Sequence, residues 1–111
     1  MLSIRLRFNS WLPTKLGFDA ITLYPFIFFS CDKQTAITEK LINHEWIHVT
    51  QIRQVGWFHF YSSYLLSYWK SYFKSKNQME AYLAIPWEEK AYAGQDTFIL
   101  PQEAVDTLAR Y

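Results

Sequence analysis

Two histidines four residues apart, with a glutamate between them, occur in the run His44-Glu45-Trp46-Ile47-His48 and constrain this chain more than any other stretch. An α-helix turns about 100° per residue, so positions i and i+4 share one face at roughly 6 Å, close enough for two imidazole nitrogens to reach one ion. Glu45 falls beside that pair. From there it lies too far round the helix to ligate the same ion, yet within reach of a water bound to it, where a general base is needed. The flanks support a helix: residues 35–55 contain no Pro or Gly, Thr35 or Thr38 offers an N-cap, and Gly56 suits the position just past a helix end.

On a helical wheel, Ile37, Leu41, His44, His48, Gln51 and Val55 share one stripe, and Ile42, Trp46 and Val49 form a second about 150° away. A helix apolar on two sides is the central helix of its domain, and imidazoles inside it must be paired or bound.

The remainder of the 111 residues reads as one domain of the α+β class: small N-terminal strands packed on the motif helix, with two or three further helices. Ile4, Leu6 and Phe8 alternate with Arg5 and Arg7 in a strand over Ser3 to Phe8, followed by an irregular link through Pro13 and Gly17. Phe18 to Ser30 reads as a second β stretch. Pro25 within it cannot donate to a ladder, which makes this an edge strand or a bulged one, and an edge beside a cleft can take an extended peptide as an added strand.

After Gly56, residues 57–76 read as an amphipathic helix whose aromatic stripe, Phe58, Tyr61, Leu65, Tyr68 and Tyr72, is expected to be core. His59 lies eleven residues past His48 with no ligand spacing. Asn77 ends that helix, and Pro86 begins another with Glu88 and Glu89 in its first turn, where Pro and acids are both favoured. A short strand-like piece over Thr97 to Leu100 and a last helix from Pro101 complete the chain.

Two histidines binding zinc (Zn2+) need a third protein ligand, and a carboxylate from a second helix supplies one. Glu88 is the choice, with Ala91 one turn on, small enough to let the two helices approach; physics alone leaves Glu89 open.

Composition excludes several classes. A formal charge of +1, with basic residues dispersed except Lys70, Lys74 and Lys76, argues against a nucleic-acid partner. Lone Cys31 precludes an internal disulfide, and with no export signal and apolar windows too short to span a bilayer, the expected setting is cytoplasmic. Aromatic residues make up 20% of the chain, an excess that suits contact with a membrane surface or self-association.

With His44-Glu45-Trp46-Ile47-His48 followed about forty residues later by Glu88-Glu89-Lys90-Ala91-Tyr92, the chain resembles the gluzincins, zinc metallopeptidases whose third ligand is a glutamate on a downstream helix, and most of all the small single-domain minigluzincins. The resemblance implies His44, His48 and Glu88 as zinc ligands, Glu45 as general base, and a strand over Thr22 to Phe29 lining the cleft. Where related peptidases often carry an Asp after E-x-x-A this chain has Tyr92, so Gln51 becomes the candidate to orient a ligand histidine. Gln51 and Gln54 stand where a metzincin would need Gly and a third His. The implied activity is zinc-dependent hydrolysis of a peptide or protein substrate, with Tyr92, Tyr82, Tyr24 or His59 as candidate oxyanion donors and residues 95–111 as a candidate latency segment. The alternative is a catalytically silent zinc scaffold or interaction module, with membrane-peripheral attachment as one form of it.

Overall fold

The computed structural model describes residues 2–111. It is an α+β fold. Strand β1 (Arg5–Arg7) buries Ile4 and Leu6 and exposes Arg5 and Arg7, as their alternation requires. The expected irregular link instead forms helix α1 (Trp11–Leu16), because Ser10 accepts a hydrogen bond from the Leu12 amide at 3.3 Å and Gly17 closes the helix at φ 83°.

The single strand expected over Phe18 to Ser30 is a hairpin, β2 (Ala20–Leu23) and β3 (Phe26–Phe29). Tyr24 and Pro25 form its turn. There the missing N–H of Pro25 costs no ladder bond, whereas inside a continuous strand it would. In the order β1-β3-β2, β1 runs parallel and β2 antiparallel to β3, with Thr22 opposite Ile27. β2 is thus an edge strand, and its buried Thr22 faces the motif helix.

That helix is divided. Asp32 caps α2 (Lys33–Thr38) by accepting from the Thr35 amide at 2.8 Å, and Lys40 at φ 58° separates it from α3 (Leu41–Val55), which ends at Gly56. The break turns Ala36 into the core while leaving Ile37 outside, which one continuous helix would not do. Ile42, Trp46 and Val49 of α3 pack against Ile4, Leu6, Ile27 and Phe29 of the sheet.

α4 (Trp57–Ser75) follows, then α5 (Gln78–Leu83), capped by the Asn77 side chain, and α6 (Pro86–Gly94), with Pro86 in its first turn. The described residues thus form seven helices where three or four were expected. The aromatic stripe of α4 is not core: Phe58 and Leu65 are exposed, Tyr61, Tyr68 and Tyr72 half-buried, and only Phe60 is fully buried. α3 already has a partner on each side, so nothing covers the outer face of α4.

Residues 97–100 form no strand, but Asn43 donates to the Phe98 carbonyl at 3.3 Å and holds the segment against α3. It leads to α7 (Gln102–Ala109), which buries Ala104 and Leu108 in the sheet-side core. Tyr111 accepts from the Leu6 amide at 3.1 Å.

Arg53 ties α7 to α3 by a two-pronged contact with Glu103, at 2.6 and 2.8 Å, and also donates to the Leu2 carbonyl. The Arg53 hydrogen bond holds the Glu103 carboxyl below the usual carboxylate range. A carboxylate with a depressed folded pKa stabilises above its unfolded pKa and loses that contribution as pH falls. Glu103 is half exposed, so Glu103→Gln should cost only about 0.5–1 kcal/mol at pH 7. Wild type and variant should converge in urea titrations as pH drops from 6 to about 3.

Candidate metal centre

α3 and α6 bring three electron-pair donors to one buried point. The Glu88 Oε1 atom lies 2.8 Å from His44 Nε2 and 3.0 Å from His48 Nε2, and all three side chains are buried. Ala91, fully buried one turn past Glu88, keeps the contact between the helices close. Glu89 is exposed, which separates the two carboxylates that physics left open.

The other ring nitrogens determine what the Nε2 atoms can carry. His48 Nδ1 meets Gln51 Oε1 at 2.8 Å, and the Gln51 amide nitrogen donates to the Trp87 carbonyl at 3.1 Å, which fixes the amide's orientation. His48 must therefore carry its proton on Nδ1. His44 Nδ1 lies 2.7 Å from Gln95 Oε1 and takes the same tautomer. In that tautomer both Nε2 lone pairs aim at a carboxylate oxygen, an arrangement that demands positive charge between them, as added protons or as a metal cation.

The electrostatics of the pair favour the first solution. Burial lowers the basicity of His48, but the Glu88 hydrogen bond and the charges of Glu45 and Glu88 outweigh it and bring the pKa to about 9. Burial pushes Glu88 the other way, and hydrogen bonds from His44, His48 and Tyr64 hold its carboxyl far below the usual range. The second solution would need the donors to move apart. Ligands about 2.1 Å from a tetrahedral zinc stand about 3.4 Å apart, so an outward shift of about half an ångström would admit the ion between His44, His48 and Glu88.

Glu45 is nearer this point than the helical wheel implied. One ligating atom from each of His44, Glu45 and His48 lies within 4.8 Å of the others, close enough to share an ion. Thr22 of the edge strand donates to Glu45 Oε1 at 2.8 Å and holds the carboxylate to one side. Burial raises the Glu45 pKa, against the opposing effects of His48, His44 and Thr22.

Of the four candidate oxyanion donors, the fold brings two here. Tyr92 packs its ring edge-on to His44 at 4.4 Å, and its hydroxyl lies 3.4 Å from that of Tyr82. Tyr24 is engaged by Arg53 at the hairpin, and His59 is exposed beside Trp87. Tyr64, which no sequence signal singled out, donates to Glu88 Oε2 at 2.7 Å and leaves Oε1 to the histidines. It sits on the inner face of α4, recognisable only once that helix is docked. Gln95, just past α6, was missed for the same reason.

A cavity of about 450 Å³ opens beside the donors, with Thr22, Glu45, His48, Tyr64, Tyr82 and Glu88 among its walls. Tyr61 crosses the free edge of β2, donating to the Thr22 carbonyl at 2.9 Å and accepting from the Tyr24 amide at 3.0 Å. Of residues 95–111, Gln95 meets His44 and α7 packs on β1; none of them is among the residues that line the cavity. No family model, curated protein or solved structure matches the chain.

Gln51→Leu would strip partners from two buried groups, His48 Nδ1 and the Trp87 carbonyl, at a cost of about 1–3 kcal/mol. Thermal melts of metal-free protein should fall by at least about 4 °C.

Proposed function

We propose that the chain is a zinc-dependent peptidase of gluzincin type. The observation that carries the reading is the convergence of His44 Nε2, His48 Nε2 and Glu88 Oε1, each within 3.0 Å of a neighbour in the set, with the Glu45 carboxylate alongside and an edge strand on the cavity wall. Two imidazoles and one carboxylate are a donor set that catalytic zinc uses while keeping a position open. His44, His48 and Glu88 would hold the zinc, which would supply Lewis acidity for a scissile carbonyl and for activating a water.

The chain's own groups do the rest. Gln51 and Gln95 fix both imidazole tautomers, and Tyr64 fixes the Glu88 rotamer. Glu45 takes a proton from the attacking water and returns it to the leaving amine as the C–N bond breaks; its raised pKa moves it toward the range where one group can do both. Burial keeps the Tyr82 hydroxyl protonated, so Tyr82, with Tyr92 next to it, is the neutral donor for the developing oxyanion. An extended peptide would pair with the edge of β2. The setting proposed is cytoplasmic, in keeping with the lone Cys31, whose thiol pKa burial raises.

Elemental analysis of protein purified without chelator should find roughly one zinc per chain. Glu45→Gln should keep that zinc and lose at least about 100-fold in hydrolysis of an unstructured protein such as casein. Wild-type protein that holds zinc but cuts nothing would turn the reading to a zinc scaffold; protein that takes up no metal would end both.

Tyr61→Phe removes the hydroxyl that occupies the β2 edge at Thr22 and Tyr24, so KM for extended peptides should fall several-fold, the equivalent of about 1 kcal/mol for one net hydrogen bond. An unchanged KM across a series of peptide lengths would show that substrate does not use this edge.

A further inference from the structure

The outer face of α4 has no partner in the fold. Phe58, Leu65, Leu66, Trp69 and Phe73 are 72%, 51%, 66%, 55% and 67% exposed. At about 100° per residue they fall within one arc of roughly 100°. Lys70 and Lys74, both exposed, follow on one margin of that arc, and Lys76 at the helix end sits 5.1 Å from the Phe73 ring. The opposite face carries buried Phe60 and the Tyr64 that reaches Glu88. α4 is therefore amphipathic in an inverted sense: its aromatic side is outermost, and its inner side serves the metal centre.

Five large apolar side chains in a contiguous outward stripe are more than a free surface ordinarily carries. The charge pattern identifies what covers them. From residue 46 to residue 79 there is no Asp or Glu, while Lys70, Lys74 and Lys76, on α4 and at its end, are all basic. We propose that this face of α4 docks on an anionic lipid surface, with the helix axis lying in the plane of the interface. Trp, Phe and Leu would enter the boundary between headgroups and acyl chains, and the lysines would meet lipid phosphates. The helix lies on the membrane and does not cross it, since no helix among the described residues is long and apolar enough to span.

A second copy of the chain is the poorer occupant. A two-fold contact sets a patch against itself, and α4 carries no acid that could pair with Lys70 or Lys74 across it. The placement also bears on the cavity: Leu65 belongs to the docked stripe and lines the cavity, and exposed Leu16 and Leu23 lie on the same wall. Docking on α4 would therefore set one wall residue of the cavity, Leu65, against the lipid surface.

Co-sedimentation of the 111-residue chain with vesicles tests this. The chain should pellet with vesicles of phosphatidylcholine containing phosphatidylglycerol, and much less with phosphatidylcholine alone, and high salt should weaken the difference. Lys70→Gln with Lys74→Gln should reduce partitioning roughly 25-fold, about fivefold per lysine. Trp69→Gln with Phe73→Gln should reduce it as well, and circular dichroism should show both pairs folded, because the altered side chains are exposed. In the unaltered protein, acyl-brominated lipid should quench tryptophan emission, a readout that needs no variant. Absence of binding to anionic vesicles would overturn the proposal, as would binding indifferent to the lysine pair, or a lipid-free dimer that Trp69→Gln makes monomeric. These measurements read binding without metal or cleavage, so they stand apart from the peptidase assay.

Discussion

Glu88 Oε1 is the atom on which this structure turns, a carboxylate oxygen enclosed between two imidazole nitrogens at 2.8 and 3.0 Å in the protein interior. A buried carboxylate is costly unless it is compensated, and three lone-pair bearers at one point repel unless a cation or protons lie among them. The fold answers with an unbroken chain of partners: Gln95 and Gln51 on the outer ring nitrogens, Tyr64 on the second oxygen, and the Trp87 carbonyl behind Gln51. Among the described residues, no buried side-chain nitrogen or oxygen lacks a partner. The same partners that compensate the buried carboxylate are those that would hold ligands in register for an ion.

The position of this point follows from how α3 is packed. Its Ile42, Trp46 and Val49 side is consumed by the sheet and α7, and its histidine side is met by α6 and α4. β2 enters from the sheet and contributes Thr22 to the catalytic candidate Glu45. Every element that reaches the site therefore also contributes to the core, so the site is held by the packing of the fold. α4 is the exception on its other side, where a row of aromatic and aliphatic residues meets nothing within the chain.

Local chemistry made several elements legible. The alternation around Leu6, the helix end at Gly56 and the start at Pro86 each rest on a residue whose backbone preference or capping ability acts alone, whereas α4 ends at Lys76, at φ 57°, and Asn77 caps the helix that follows. The break at Lys40 did not announce itself, because a lysine at positive φ has no compositional mark. Ser10 and Gly17 did mark α1, but Pro13 between them reads equally well as part of an irregular link. The hydrophobic wheel of α4 misled for a different reason. Amphipathic spacing says that a helix has two unlike sides, and it cannot say which side the rest of the molecule covers.

Taken by itself, the sequence determined that His44 and His48 share a helix face with Glu45 between them, and that acids stand at the start of a later helix, because both follow from spacing and capping over a few residues. Only the tertiary structure decided that Glu88 and not Glu89 meets both imidazoles, that Gln95 and Tyr64 complete the network, and that the aromatic side of α4 faces outward. Those outcomes depend on how helices roll and dock against one another. That is set by the summed packing of side chains distant in the chain, which no local pattern encodes.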